Sequence, residues 1–155
     1  MKAILMSGIA GSGKSTWANK YAQTHENTVV ISTDALRYEL FGAYVLPRDQ
    51  EKIVQKTIIE RIEKAAKEHL NVVLDIAVVI NKNRLKWYNR LRQYYPEVEL
   101  VFFDIPLEVC LENNTKRDRH VPNYVIKQMD SMKQQPDEEL KKLFKSITIF
   151  KNYNY

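Results

Sequence analysis

The stretch Gly8-Ile-Ala-Gly-Ser-Gly-Lys-Ser15 decides the fold of this chain. Its spacing of glycine, four residues, glycine, lysine and serine is typical of the phosphate-binding P-loop. The 155 residues contain only four glycines, and three of them lie in this stretch. Glycines let successive backbone N–H groups turn towards a bound phosphate, and a following helix presents its positive N-terminus to the same anion. The stretch therefore predicts a site for nucleotide phosphates.

The residue types of the loop have separate expected roles. Lys14 is expected to reach the terminal phosphates of ATP, and the Ser15 hydroxyl is expected to bind Mg²⁺. An apolar run before the loop predicts a strand and a periodic pattern after it predicts a helix, which favours a nucleotide site over a glycine-rich turn that binds nothing. The predicted nucleotide-binding residues are Gly8, Ala10, Gly11, Ser12, Gly13, Lys14, Ser15 and Thr16.

Strands and helices are predicted to alternate along the whole chain. The predicted strands are Lys2–Met6, Thr28–Ser32, Asn71–Ala77, Val98–Asp104 and Ser146–Phe150. The predicted helices are Lys14–Gln23, Asp34–Gly42, Asp49–Leu70, Lys82–Tyr95, Leu107–Asn114, Pro122–Lys133 and Pro136–Phe144. This alternation predicts an α/β P-loop kinase fold, a five-stranded parallel sheet with helices on both faces and a basic lid. Ligands of such sheets bind beyond the carboxyl ends of the strands.

Length and composition fit one ordinary domain. Hydrophobic residues make up 45% of the chain and charged residues 28%, which is typical of globular proteins and excludes disordered or fibrous classes. We expect a single domain over residues 1–155, with a lid at about 115–122 and a frayed end at about 152–155. The longest apolar stretch, Val72–Ile80, is interrupted by Asp75 and is shorter than the roughly 20 residues of a membrane-spanning helix. We therefore expect no membrane partner.

Charge and cysteine content suggest the partners and the compartment. Lysine and arginine number 24 against 19 aspartates and glutamates, and the net charge of +5 favours a polyanionic partner. No secretory pattern follows Met1, and the single cysteine, Cys110, can form no internal disulfide. We expect a cytoplasmic protein, and the sequence defines no oligomeric state.

A candidate acceptor site follows the second predicted strand. Asp34 stands at the strand-to-helix junction, and Arg37 lies one helical turn further on, so that the two side chains share a face. Beside a P-loop, this pair is suited to accept a proton from a second substrate and to bind its phosphate. Two structural alternatives are open at this point. Asp34 can serve as a helix N-cap, or the two residues can form an ordinary i,i+3 ion pair.

A carboxylate for Mg²⁺ is predicted at the end of an apolar strand. Asp75 ends the run Val72–Asp75, which has the form of a Walker B strand, and it is expected to contact metal and substrate in the cleft. Asp104 ends a second such run and competes for the role, and both can line the cleft. We favour Asp75, because the Ile105-Pro106 that follows Asp104 indicates entry into a helix.

The basic segment Lys116–His120 lies between two predicted helices. A run of charge is usually a solvated surface. In a P-loop protein, however, such a loop late in the chain is suited to act as a lid, whose Arg117 and Arg119 neutralise charge on the transferring phosphoryl group.

Together these motifs resemble the 5'-hydroxyl polynucleotide kinases of phage and bacterial RNA or DNA repair. The resemblance covers nearly the whole chain and is carried by Gly11–Ala18, Asp34-x-x-Arg37, Asp75, Phe103–Pro106, Asn114–Arg117, Val121-Pro122 and Met129-x-x-Met132. It implies transfer of the γ-phosphoryl group of ATP, with Mg²⁺, to a 5'-hydroxyl end of RNA or DNA. It also implies that Asp34 is the general base, that Arg37 binds the acceptor phosphate and that Arg117 contacts the donor phosphates.

Two other functions are open on the sequence alone. A kinase of a nucleoside, sugar or antibiotic would use the same Asp34, although Arg37 and the net charge of +5 argue against an uncharged acceptor. A nucleotide-binding switch or assembly ATPase would instead hydrolyse or retain the nucleotide and phosphorylate no alcohol.

Overall fold

The computed structural model describes residues 1–118 and 121–152. Five strands are present there: β1 (Lys2–Gly8), β2 (Thr28–Ser32), β3 (Asn71–Asp75), β4 (Glu97–Phe103) and β5 (Ile147–Phe150). The helices are α1 (Lys14–Thr24), α2 (Thr33–Phe41), α3 (Arg48–Lys67), α4 (Asn81–Arg92), α5 (Leu107–Thr115), α6 (Asn123–Met132) and α7 (Glu138–Leu143). Among the helices of these residues, none has the length and apolar character needed to cross a membrane.

The strands form one parallel sheet in the order β2-β3-β1-β4-β5. Parallel pairing brings the carboxyl ends of β1, β2 and β3 to the same edge, where the chain enters the P-loop, α2 and the segment after Asp75. The predicted five-stranded parallel sheet is confirmed, and this edge of the sheet is where a ligand site is expected.

Side chains of the central strand β1 alternate between two hydrophobic cores. Ala3 and Leu5 pack on one face with residues of α3, α4 and α7, whereas Ile4 and Met6 pack on the other with residues of α1, α5 and α6. All four side chains are at most 2% exposed. The prediction of helices on both faces of the sheet is therefore confirmed.

The third strand is shorter than predicted. It ends at Asp75, two residues before the predicted end at Ala77, although the apolar run continues. The Val78 carbonyl accepts hydrogen bonds from the Gly8 N–H and from the Ser7 hydroxyl, at 3.2 and 2.6 Å. Ile76, Val78 and Val79 are thus buried in an irregular segment that is hydrogen-bonded to the end of β1, and the apolar composition of residues 76–80 does not indicate continuation of the strand.

Candidate active site

The P-loop connects the central strand β1 to α1. Gly11 and Gly13 have φ angles of 81° and 97°, which lie in the left-handed region that favours glycine. Gly13 occupies the N-cap of α1 and carries no side chain to accept from the first N–H groups of the helix. These donors and the positive end of α1 are thus left for an anion, as the motif predicts.

Lys14 lies deep in this site, with 8% of its surface exposed. Its Nζ donates to the carbonyl of Ile9 at 3.1 Å. Burial lowers the pKa of Lys14, the carboxylates of Asp75 and Asp34 oppose this shift, and the Arg117 guanidinium adds to it. Two acidic and two basic side chains predicted for the site are therefore close enough for their charges to interact.

Ser15 and Asp75 meet where α1 faces the end of β3. The Ser15 hydroxyl donates to Oδ2 of Asp75 at 2.6 Å, and Asp75 is 5% exposed. A hydroxyl and a carboxylate side by side form an oxygen-donor pair of the kind that Mg²⁺ prefers. The residues present thus fit the predicted metal.

Asp104, the competing carboxylate, has other partners. Its side chain pairs with Lys133 at 3.0 Å and accepts a hydrogen bond from Gln135 at 2.7 Å. Although its partial burial disfavours the charged form, the bonds from Lys133 and Gln135 lower the pKa of Asp104. Asp104 lines neither of the two cavities at the site, so the possibility that both aspartates line the cleft is wrong.

Two cavities adjoin at this edge of the sheet. The first, here called the P-loop cavity, has a volume of about 450 Å³ and is lined by residues that include the loop, Asn113 and Lys116. The second, here called the side cavity, has a volume of about 790 Å³ and extends from there along β2 to α3. The residues that line both cavities are Ser15, Ser32, Asp34, Asp75 and Arg117. Of the predicted catalytic residues, Asp34 and Arg117 thus lie where the two cavities meet, and Lys14 lines the P-loop cavity alone.

Asp34 does not cap its helix. The N-cap of α2 is Ser32, whose hydroxyl accepts from the N–H of Ala35 at 3.3 Å, and the helix begins at Thr33. The alternative that Asp34 is the cap is therefore wrong. Asp34 is the second residue of α2, and its side chain is 42% exposed and lines both cavities.

Arg37 joins α2 to α3. Its Nη1 donates to Oδ1 of Asp34 at 2.8 Å, and its Nε and Nη2 donate to the two carboxylate oxygens of Glu51 at 2.5 and 3.2 Å. The i,i+3 ion pair considered from the sequence is present. Burial lowers the pKa of Arg37, but the bonds to Glu51 and then to Asp34 outweigh this and raise it overall. Arg37 is thus a fixed cation whose orientation is set from two helices.

Hydrogen bonds between Asn114 and Val121 join the two ends of the segment predicted to be the lid. Asn114 is 3% exposed, and its amide donates to the Val121 carbonyl at 2.6 Å while its carbonyl accepts from the Val121 N–H at 3.0 Å. Between them, Arg117 lines both cavities. The predicted lid residue Arg119 lies outside the described residues.

Sequence reasoning missed two contacts of the site. Glu51 fixes Arg37 from 14 residues away, and the Asn113 amide donates to the Gly11 carbonyl at 2.9 Å from 102 residues away. Neither residue belongs to a local motif. Only the packing of α3 and α5 onto the site brings them into place.

Gly11 packs directly against α5, which leads to a prediction. A Cβ at Gly11 would lie 2.4 Å from the carbonyl oxygen of Cys110, whereas a Cβ at Gly42, also at positive φ, would meet no described atom within 4 Å. We expect Gly42→Ala to cost about 1–2 kcal/mol through its left-handed backbone alone. Gly11→Ala should cost more and also weaken ATP binding, because the loop and α5 must separate. Thermal unfolding and nucleotide titration of both variants test this, and equal losses would contradict it.

The fold and the site define a P-loop kinase domain. Residues 4–136 match the family described as AAA domain, and the chain belongs to that family.

Two curated relatives are similar to the chain. An L-seryl-tRNA(Sec) kinase of Methanococcus maripaludis is 25% identical over 81% of this chain and 50% of its own length. A protein of Autographa californica nuclear polyhedrosis virus, described as a candidate bifunctional polynucleotide kinase/RNA ligase, is 27% identical over 98% of this chain and 22% of its own length. The chain thus spans half or less of the length of these relatives.

Solved structures show the same fold. A chain of the Pnkp1/Rnl/Hen1 RNA repair complex has a TM-score of 0.75 at 22% identity, covering 84% of this chain and 43% of its own. A sugar kinase from Janibacter sp. HTCC2649 has a TM-score of 0.69 at 17% identity, covering 97% and 85%. Together with the family match and the viral relative, the first of these structures confirms the resemblance to polynucleotide kinases that the motifs indicate. The structures also show that kinases with other acceptors share the architecture.

Proposed function

We propose that the protein transfers the γ-phosphoryl group of ATP to the 5'-hydroxyl end of a polynucleotide. The observation that carries this proposal is the position of Asp34 where the P-loop cavity meets the side cavity, with Arg37 bound to it by an ion pair from outside the lining of both cavities. Asp34 is a proton acceptor at this junction, and the guanidinium paired with it is suited to bind phosphate. An acceptor that carries both a hydroxyl and a phosphate can present the hydroxyl to Asp34 and the phosphate to Arg37.

The P-loop cavity supplies the donor site in this proposal. Backbone N–H groups of the loop and the amine of Lys14 bind the phosphates of ATP, and Ser15 and Asp75 hold Mg²⁺. When bound, the metal ion would supply positive charge that offsets charge on the phosphates. Arg117 reaches the same space from the lid and stabilises the transferring group.

Asp34 performs the acceptor chemistry. Its carboxylate accepts the proton of the 5'-hydroxyl as the hydroxyl oxygen forms its bond to the γ-phosphorus. The bond from that phosphorus to the bridging oxygen breaks, and ADP leaves with the electron pair. The products are ADP and a 5'-phosphorylated strand, and Asp34 releases its proton to solvent.

Arg37 retains donors for the acceptor while it is held by its two carboxylates. The guanidinium carries five N–H groups, and the contacts to Asp34 and Glu51 use three of them. The second N–H groups of Nη1 and Nη2 are suited to bind a strand phosphate next to the terminal sugar. The viral relative described as a polynucleotide kinase/RNA ligase supports this acceptor, and an uncharged sugar would not use the remaining donors of Arg37.

The test of this function is an acceptor panel with γ-labelled ATP. Single-stranded and duplex oligonucleotides with 5'-hydroxyl ends are compared with nucleosides, nucleoside 3'-monophosphates and sugars. We expect label on the oligonucleotides. Label on sugars or free nucleosides alone would replace the proposal with a small-molecule kinase, and release of labelled phosphate with no labelled acceptor would replace it with an ATPase.

Arg37→Ala should raise KM for an oligonucleotide by about 10- to 100-fold, the equivalent of a lost charge-assisted hydrogen bond. The KM for a free nucleoside should change little, because a nucleoside carries no phosphate for Arg37 to bind. Glu51→Gln is the matched variant, because it loosens Arg37 while leaving the cation in place, and we expect a smaller rise. If Arg37→Ala left the preference between oligonucleotide and nucleoside unchanged, Arg37 would serve only as the ion-pair partner of Asp34.

A further inference from the structure

Two tyrosines stack on each other beside the side cavity, which Tyr44 lines and Tyr38 does not. The rings of Tyr38 and Tyr44 lie 5.2 Å apart between centroids, with an angle of 18° between their planes. Tyr38 is 56% exposed and Tyr44 is 38% exposed, and the adjoining Val45 is 87% exposed. Neither tyrosine belongs to the two hydrophobic cores of the described residues. Their stacking thus presents flat aromatic surface to solvent and adds nothing to the core.

The pair lies close to the proposed general base. Tyr38 follows Asp34 by four residues on α2, so the two side chains occupy the same face one helical turn apart. Tyr44 lines the side cavity together with Asp34. One helical turn rises about 5.4 Å. The distance between the 5'-oxygen and the base of a nucleotide is similar. A strand whose end is at Asp34 therefore places a base near the aromatic pair.

The side cavity is also lined by charged groups of α2, of α3 and of the residue that follows α3. Arg61 and Lys64 contribute positive charge, and Glu39 and Glu68 contribute negative charge. Arg61 pairs with Glu39 at 2.9 Å, which neutralises both. Lys64 has no ion-pair partner among the described residues, so its amine is left for an anion. The aromatic pair beside the cavity and the Lys64 amine in its lining match a chain of bases and phosphates.

We propose that the Tyr38–Tyr44 pair is a stacking platform for the base of the first or the second acceptor nucleotide. In this proposal Lys64, which lines the side cavity with Tyr44, binds the strand backbone. This inference rests on the proposed function and specifies its substrate, because an unpaired base can stack in this way whereas a base inside a duplex cannot. The acceptor is therefore a single-stranded 5'-hydroxyl end. Its base binds by stacking, and the binding does not depend on which base is present.

The test compares two acceptor strands that differ only in their bases. One is a single-stranded 5'-hydroxyl hexanucleotide, and the other has abasic sugars at its first two positions and keeps every phosphate. We expect the wild-type protein to have a KM about 5- to 100-fold lower for the complete strand, the usual worth of stacking one base on an aromatic side chain. Tyr44→Ala should remove most of this difference by raising KM for the complete strand, with kcat unchanged. Tyr44→Phe should retain it, because the ring is kept.

Lys64→Ala should weaken both strands alike and reduce the salt dependence of binding, since its amine contacts phosphate and not base. Lys56→Ala is the matched control on the same helix, because Lys56 is exposed and lines neither cavity. Equal KM values for the two strands in the wild-type protein, or a preference that survives Tyr44→Ala, would overturn the platform while leaving the proposed function intact.

Equilibrium binding of a fluorescent hexanucleotide, measured without ATP, keeps the two hypotheses apart. A strand that binds in a Tyr44-dependent manner but receives no phosphate would support the platform and contradict the proposed function. Failure of the complete strand to bind better than the abasic strand would contradict the platform even if phosphate is transferred.

Discussion

Lys14→Ala is expected to lower phosphoryl transfer by about 10² to 10³ or more, the usual consequence of removing one preorganised electrostatic contact to the transferring group. Only 8% of Lys14 is exposed, and a charge at such a desolvated position interacts more strongly with phosphate than it would at the surface. The measurement is kcat on a 5'-hydroxyl oligonucleotide, with thermal unfolding of the same preparation.

The matched variant at this position is Lys14→Met. Methionine fills the space of the lysine stem but carries no charge, so it should be as inactive as Lys14→Ala. Both variants leave the carbonyl of Ile9 without its lysine donor, and the cost in stability should be about 1–3 kcal/mol. Transfer by Lys14→Met within tenfold of the wild-type rate would show that the charge is not used, and the assignment of the P-loop would fail.

Asp34→Asn is expected to lower transfer by about 10² to 10⁴, because the amide retains the shape of the carboxylate but cannot accept a proton. The stability should change little. Ser32 caps α2 in both proteins, and the lost pair with Arg37 is partly exposed, so it is worth at most about 1 kcal/mol. ATP affinity should stay close to that of the wild-type protein.

Asp104→Asn is the matched control for this prediction. Asp104 is also a carboxylate that follows a strand of the same sheet, but it pairs with Lys133 and lines neither cavity. The Asp104→Asn substitution should lower the melting temperature and leave phosphoryl transfer nearly intact. This is the opposite of the result expected for Asp34→Asn. Near-normal kcat in Asp34→Asn would remove the main reason for proposing a hydroxyl kinase.

The parts of the site that follow from local sequence could be predicted. The P-loop and the carboxylate at the end of β3 are each indicated by a short stretch of sequence. Once β1 and β3 pair in parallel, the two stretches meet and Ser15 lies next to Asp75. The alternation of strands and helices predicted the sheet for the same reason, because each element carries its own periodicity.

The parts that depend on packing between distant segments could not be predicted. Glu51 was not identified, since a glutamate in the first turn of a helix is ordinary and only the approach of α2 to α3 pairs it with Arg37. The end of β3 was misplaced, because buried apolar residues look alike in a strand and in a loop that packs beneath it. The stacking of Tyr38 on Tyr44 likewise depends on how the chain turns between two helices.

The central position of β1 also determines when the site can form during synthesis. Its neighbours are β3 and β4, and 69 residues separate Lys2 from its hydrogen-bond partner Asn71. A ribosome that adds about 5 to 20 residues per second needs roughly 3 to 14 s to make that segment. Throughout this time the apolar strand and the P-loop behind it have no sheet to join. The residues of β1 thus remain without a strand partner until β3 has been made, and during that time the nascent chain exposes an apolar segment suited to chaperone binding.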